Sequence, residues 1–225
     1  MKHLYIATPT YDRSVSVGYC QSLAMTIPAC TRAGIVLSGP DFTGGPYIDV
    51  NRNWLCHRFL ESDADTLLFI DADVTWDEKA VVRLYESGLD VVGGAYPKKE
   101  TPEAFPVRLD GETRGGYLAA QYLPGGFLMI RRGALERLQA VVEHYPDGCF
   151  GGTETFVYFQ NQHSSRGFCG EDVYFCAKWR ELGGKVWLAP DIDFAHAGVK
   201  EWRGNYARHH VAALAQGEDG TRRAA

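Results

Sequence analysis

Cysteine pairs at metal-binding spacing are missing from this 225-residue chain. Its six cysteines, at 20, 30, 56, 149, 169 and 176, contain no Cys-x-x-Cys and no zinc-ribbon rhythm, which excludes the common structural zinc modules. They read as reduced, mostly buried thiols, with Cys20, Cys56 and Cys176 in apolar helical surroundings, rather than as disulfides or metal ligands. No apolar run approaches the roughly 18 residues of a spanning helix, so membrane insertion is not expected. Met1-Lys2-His3 leads directly into a short apolar strand, without the apolar core and cleavage site of a signal peptide, and a soluble, intracellular protein is expected. A basic surplus is also lacking. The net charge is −5 and the pI near 5.8, which gives no global reason to expect nucleic acid or an anionic membrane as partner. Neither an internal repeat nor an interdomain linker is visible. One domain over residues 1–215 is expected, with the small and polar residues Gln216 to Ala225 as a frayed, flexible tail.

What is present suits a folded core: 45% of residues are hydrophobic and 12% aromatic. Leu4 to Ala7 reads as a strand stopped by Thr8-Pro9-Thr10. Val15 to Ala33 is long enough for a helix, kinked or restarted at Pro28. Ile35 to Leu37 is a second strand, followed by a loop bracketed by Gly39-Pro40 and Gly44-Gly45-Pro46. Val50, Trp54, Leu55 and Phe59 have helical spacing within Ile48 to Leu60. Leu67 to Ile70 is a buried strand, Asp77 caps a further helix, and Asp90 to Tyr96 is a strand closed by Pro97. This alternation predicts a parallel sheet with helices on its faces. The second half departs from it. Phe105 to Leu109, Tyr117 to Leu123 and Phe127 to Arg131 read as strands, Ala134 to Glu143 as a helix, and residues 144 to 170 have little periodicity. A helix from Asp172 to Leu182 and a strand from Lys185 to Leu188 follow.

The chemistry-bearing residues fall at the ends of these elements. Leu67 to Ile70 runs into Asp71-Ala72-Asp73. Strand residues two apart share a face, so the two carboxylates are expected to converge beyond a sheet edge, where open α/β sheets place ligands. Two carboxylates there suit Mg²⁺ or Mn²⁺ and, through it, a phosphate-bearing ligand. An Asp-rich turn also accounts for the triplet. Thr8-Pro9-Thr10-Tyr11-Asp12-Arg13 ends the first strand and offers hydroxyls and an aromatic ring to a planar base, or forms an ordinary connecting loop. Asn51-Arg52-Asn53 places Arg52 near a helix start, suited to an anion or to the Asp pair, or on a solvated face. Gly125-Gly126 lets a ligand or another backbone approach closely, or makes a plain turn. Glu171 and Asp172 open a helix, as caps or as a general base. His196, with Gly198, Lys200 and Trp202 after it, lies near another strand end.

In their order, these pieces resemble the nucleotide-sugar glycosyltransferases of the GT-A fold, particularly the compact ones of phage and other viral genomes. The resemblance covers residues 3 to about 202. It implies an α/β, Rossmann-like mixed sheet flanked by helices, and a cytoplasmic location in a bacterial or infected host cell. It implies a hexosyl- or pentosyltransferase that uses a nucleoside-diphosphate sugar, expected to be a UDP-sugar, with Mn²⁺ or Mg²⁺. Asp73 and His196 would bind the metal, with Asp71 at the ribose or a metal-bound water. Thr8, Pro9, Tyr11, Arg13, Arg52, Asp71, Ala72 and Lys200 would contact the nucleotide, and Gly125, Gly126 and Trp202 the sugar or acceptor. Asp172, beside Glu171, would be the base of an inverting reaction. The acidic pair favours inversion and the His-Gly-Lys element leans toward retention, so both courses stay open. The spacing from His196 to Trp202 is tighter than in glycogenin-like enzymes.

The acceptor is a saccharide, a protein or a modified DNA base. Lys200, Arg203, Arg208, His209 and His210 form a small basic cluster that would serve the last of these, although the acidic net charge opposes strong duplex binding. A nucleotidyltransferase normally carries a Gly-rich phosphate loop after its first strand, a place held here by Thr8-Pro9-Thr10-Tyr11. A non-catalytic nucleotide-sugar binding module is the remaining alternative.

Overall fold

The first half builds much as its alternation predicts. The computed structural model describes residues 1–164 and 167–215, so the expected tail from Gln216 lies outside the described residues. β1 (His3–Thr10), α1 (Val17–Arg32), β2 (Val36–Gly44), α2 (Ile48–Glu61) and β3 (Thr66–Ile70) are followed by β4 (Val74–Trp76), α3 (Ala80–Glu86) and β5 (Val91–Gly93). The second half holds β6 (Arg108–Arg114), β7 (Tyr117–Tyr122), β8 (Phe127–Arg131) and α4 (Arg132–Gln139). Two small hairpins come next, β9 (His144–Asp147) with β10 (Thr153–Phe156) and β11 (Gln162–Ser164) with β12 (Gly167–Cys169). The chain then forms α5 (Glu171–Glu181), β13 (Val186–Leu188), β14 (Asp193–Ala197), β15 (Glu201–Asn205) and α6 (Tyr206–Ala215).

The eight-stranded sheet has the order β2-β1-β3-β8-β5-β13-β7-β6. β2, β1 and β3 are parallel, β8 runs antiparallel between β3 and β5, and β13 is parallel to β5. The sheet is therefore mixed, an α/β arrangement with helices on both faces. The period-2 rule assigns the faces. Leu67 and Phe69 of β3 pack with Leu55 and Phe59 of α2, Leu135 of α4 and Phe175 of α5. Leu68 and Ile70 pack with Tyr19 of α1 and Val81 and Leu84 of α3.

Several boundaries differ from expectation. β1 continues through Pro9 to Thr10, because β2 runs alongside it as far as Gly44. The parallel partner on that flank also draws Gly39-Pro40 into β2, with a register shift between Tyr5 and Ala7 absorbing the irregularity. α1 runs unbroken past Pro28, with Ser16 capping it by accepting from the Tyr19 amide at 3.1 Å. Cys30, Cys56 and Cys176 are buried thiols as expected, but Cys20 is exposed and Cys169 half-buried. The side chain of Cys149 lies outside the described residues.

A second, three-stranded sheet has the order β15-β14-β4. β4 begins directly after the Asp71-Ala72-Asp73 turn, and β14 pairs with it so that His196 lies opposite Val74. The amide of Ala197 donates to the Asp73 carbonyl at 2.8 Å. These pairings carry His196 to the edge where β3 ends.

On the other face, α2 is tied to the segment before the second hairpin. The amide group of the buried Asn53 donates to the Phe159 carbonyl and accepts from the Phe159 amide, each at 2.8 Å. Asn53→Ala removes both bonds and leaves a buried peptide unit unsatisfied. A loss of about 1–3 kcal/mol in denaturant unfolding is expected, with an unchanged m-value.

Candidate active site

β3 stops at Ile70, and the next residues turn: the amide of Val74 donates to the Asp71 carbonyl at 3.1 Å. Because Asp71 and Asp73 sit in a turn and not on a strand, their side chains part instead of converging. Asp71 points inward. It accepts from the Arg52 guanidinium at 2.8 Å and from the Tyr96 hydroxyl at 3.1 Å. Asp73 points the other way, with the Lys99 ammonium at 2.5 Å and His196 Nε2 at 3.4 Å from its Oδ2.

A cleft of about 490 Å³ opens beside this turn. Pro9 to Asp12 and Ser14 to Ser16 form one wall, Gly45, Pro46 and Ile48 another, and Asp71 to Asp73 the floor. The first wall is held at both ends. Asp12 accepts from the Ser14 amide at 3.0 Å, and the Ser16 amide donates to the Ala72 carbonyl at 2.8 Å. Asn51 fixes the second wall by donating to the Gly45 carbonyl at 3.1 Å. Tyr11, 78% exposed, stands at the mouth. Of the residues expected at a nucleotide, Pro9, Tyr11, Asp71 and Ala72 line this cleft.

Others are placed elsewhere. Thr8 is buried, its hydroxyl bonded to that of Tyr19 at 2.6 Å. Arg13 is exposed and its stem covers Gly44. Lys200 is exposed past the end of β14, its ammonium 5.1 Å from the centre of the Trp202 ring. Trp202 is half-buried beside Gly198 and pairs across β14 and β15 with His196.

Arg52 meets the Asp pair, one of the partners its place near the helix start suggested, but it does so in the interior: its side chain is 2% exposed. It donates to Asp71 at 2.8 Å, Glu171 at 3.3 Å and the Gly125 carbonyl at 3.1 Å. Burial disfavours its charge, but Asp71 and Glu171 outweigh that and raise its pKa above the ordinary arginine value. The same cluster explains the double glycine. A Cβ on Gly125 would lie 2.9 Å from the Arg52 guanidinium carbon, and one on Gly126 would lie 2.2 Å from an Asp71 oxygen and 2.3 Å from the Tyr96 hydroxyl. Both glycines are buried, and the close backbone approach expected of them is made to Arg52 and Asp71.

The helix start joins this cluster. Glu171 is committed to Arg52 and so is a partner in the network, not an unpaired acid. Asp172 has no such cation. It accepts from its neighbour's amide, Val173, at 2.7 Å and from the Gly125 amide at 3.3 Å. Burial, and then the adjacent Glu171, push its carboxyl up to about 6.

Asp73 behaves in the opposite way. Burial would raise its pKa, yet His196 and Lys99 hold it down at about 2. His196 Nδ1 lies 2.9 Å from the Pro97 carbonyl. A carbonyl only accepts, so that nitrogen carries a proton and Nε2 is the one turned to Asp73. A protonated ring in this orientation donates from Nε2 to Asp73, whereas a neutral one would present a lone pair there, leaving two acceptors that a shared cation would satisfy. This donor set fits a hard or borderline divalent ion as two of its ligands, with a carbonyl fixing the imidazole from behind. Among the described residues, no group of three or more His, Cys, Asp or Glu gathers in a metal-holding arrangement, so further ligands would come from substrate and water.

Sequence reasoning missed Lys99 and Tyr96. The available signal was the strand ending at Tyr96-Pro97, because β5 points the same way as β3 and therefore delivers its following residues to the same sheet edge. In the basic cluster of Lys200, Arg203, Arg208, His209 and His210, three members lie beside acids: Arg203 pairs with Glu201, Arg208 with Asp193 and His209 with Glu103. Among the described residues, no helix is long and apolar enough to cross a membrane.

No protein-family model matches the sequence, and no curated protein matches it. Comparison with solved structures finds A197 from STIV, at a TM-score of 0.56 and 21% identity over 92% of both chains. That likeness establishes the fold. Two more distant matches are a glycosyltransferase involved in the glycosylation of the major capsid of PBCV-1 and S. aureus TarS residues 1–349 in complex with UDP-GlcNAc. Their TM-scores are 0.34 and 0.44 and their identities 11% and 16%. The alignments cover 60% and 84% of this chain, and 63% and 56% of those chains. The mixed sheet flanked by helices is consistent with the GT-A type.

Two outcomes follow from the charge cluster. Arg52→Met keeps most of the volume but leaves Asp71 and Glu171 unpaired, and a loss of about 3–5 kcal/mol in denaturant unfolding is expected. For Asp172 the folded-state pKa is raised, so the folded protein holds a proton that the unfolded chain releases. Stability should therefore fall as pH rises from about 4 to about 6, by roughly 1–3 kcal/mol. Asp172→Asn should flatten that part of the profile, as followed by thermal unfolding across pH.

Proposed function

We propose that the protein is a glycosyltransferase that moves a sugar from a nucleoside-diphosphate sugar to a hydroxyl acceptor with the help of a divalent cation. One observation carries this reading: Asp73 forms part of the floor of the cleft while His196 turns Nε2 toward it, locked by the Pro97 carbonyl. A protein carboxylate and an imidazole at a cleft edge suit an ion that is completed by diphosphate oxygens.

In this reading the residues divide the work. Tyr11 offers an exposed aromatic face to a base, in a loop whose backbone is already fixed by Asp12 and Ser16. Asp73 and His196 would hold Mn²⁺ or Mg²⁺, which when bound supplies a Lewis acid for the departing diphosphate. Asp172 takes the proton from the acceptor hydroxyl. The acceptor oxygen forms its bond to the anomeric carbon as the bond from that carbon to the phosphate oxygen breaks, and the bonding pair leaves with the diphosphate. A carboxyl with a pKa near 6 is suited to this task, because it is ionised at neutral pH yet more basic than an ordinary aspartate. That property favours the inverting course. Asp71, Glu171 and Arg52 act by position: they fix the turn and the helix start relative to each other. A UDP-sugar is the donor first to be tried. The acceptor is a saccharide or protein hydroxyl; the pairing of Arg203, Arg208 and His209 with nearby acids leaves little basic surface for a DNA acceptor.

The test is release of UDP from UDP-sugars by the purified protein with and without Mn²⁺. Asp73→Ala should lower the Mn²⁺-dependent rate roughly 10²–10³-fold, the range for losing a group that stabilises developing charge. Full activity in that variant would overturn the assignment of Asp73.

A further inference from the structure

Lys99 is a basic residue that none of the sequence motifs contains, yet it makes the closest contact to Asp73. Its ammonium lies 2.5 Å from Asp73 Oδ2, the same oxygen that faces His196 Nε2 at 3.4 Å. A positive group thus already sits where the two acceptors would share one. The contact is half-exposed, with side-chain exposures of 37% and 38%, and an ion pair of that kind is weak enough to exchange. The stem of Lys99 is guided by Gly198, where a Cβ would stand 3.1 Å from Lys99 Cδ and 2.9 Å from the Trp202 ring. The other nearby cations are differently placed. Arg52 is buried and spent on Asp71 and Glu171, and the Lys200 ammonium lies over Trp202.

We propose that Lys99 is an exchangeable counter-cation of Asp73: it neutralises the carboxylate in the free protein and transfers its ammonium to the donor's diphosphate once a divalent ion takes Asp73. This proposal rests on the function proposed above. Lysine suits it chemically, being a point charge on a flexible stem whose three N–H donors serve a carboxylate or a phosphate oxygen equally. The exchange keeps Asp73 from standing as an unpaired, partly buried charge. It also delivers a second positive group to the leaving diphosphate as negative charge develops there.

The experiment measures Mn²⁺ affinity by the electron paramagnetic resonance signal of free Mn²⁺, on the full chain without nucleotide. Lys99→Met retains the stem and removes the charge. It should bind Mn²⁺ roughly three- to tenfold more tightly than the parent, the factor expected for losing a half-exposed competing ion pair. With saturating Mn²⁺, its affinity for UDP should fall by a similar factor, and Lys99→Arg should restore most of that affinity. Equal or weaker Mn²⁺ binding by Lys99→Met, or unchanged UDP affinity, would overturn the proposal. Asp73→Ala separates the two readings. If it abolishes Mn²⁺ binding while Lys99→Met changes nothing, only the role of Lys99 falls. If Asp73→Ala binds Mn²⁺ as the parent does, the cation site at Asp73 falls and the exchange falls with it.

Discussion

A guanidinium removed from water governs the arrangement of this protein's centre. Arg52 projects from the first turns of α2 into the space between the end of β3, the turn before β8 and the start of α5. A buried charge is tolerated only where anions and carbonyls surround it. Asp71, Glu171 and the Gly125 carbonyl meet that demand, one from each segment. Phe69 and Phe159 close the remaining sides, with ring centres 5.1 Å and 5.9 Å from the guanidinium carbon. Three segments distant in sequence are thereby given one relative position. The glycines at 125 and 126 follow from this geometry, because any side chain there would occupy the space of the guanidinium, Asp71 or Tyr96.

The same cluster sets the chemistry of its neighbours through charge balance. One arginine faces three carboxylates. Asp71 and Glu171 take its donors directly, whereas Asp172 receives only backbone N–H groups. Asp172 is buried and is left as surplus negative charge beside Glu171, and burial first, then Glu171, make it retain its proton to a higher pH. The raised pKa is thus a consequence of how the helix start is anchored.

The sheet was legible in the sequence wherever a periodic run lay between clear turns. β3, α2, β8 and α5 lie within a few residues of their expected bounds, since alternation and helical spacing reflect burial on one face or two. The site was legible as a set of strand ends, which is why the loop after β1, the Asp71 turn and His196 were singled out. What failed depended on tertiary pairing. Pro9 and the Gly39-Pro40 pair read as breakers, but the parallel partnership of β1 and β2 overrides local punctuation. The divergence of Asp71 and Asp73 turns on whether the strand continues past Ile70, and composition does not encode that. β15 and α6 carry too little apolar periodicity to stand out, and the pairing that brings β14 to β4 is remote in sequence. Arg52 was legible as a partner of the Asp pair, but its burial and its contacts to Glu171 and Gly125 were not, because those partners are remote in sequence.

The two aspartates of the turn now differ in the kind of cation that each keeps. Asp71 is held by arginine, whose rigid fork spreads several donors over fixed partners and keeps its charge at any pH the fold survives. Such a pair is suited to permanence. Asp73, on the floor of the cleft, is held by lysine and histidine. These are a flexible point charge and a ring with one nitrogen already committed to Pro97, and either can yield the carboxylate to another cation without disturbing the core. Two carboxylates one residue apart are thus divided by the burial of the cation that each keeps, Arg52 being 2% exposed and Lys99 37%. The inward aspartate is tied to a cation that lies where only a fully paired charge is stable. The outward one lies where solvent lowers the cost of changing partners.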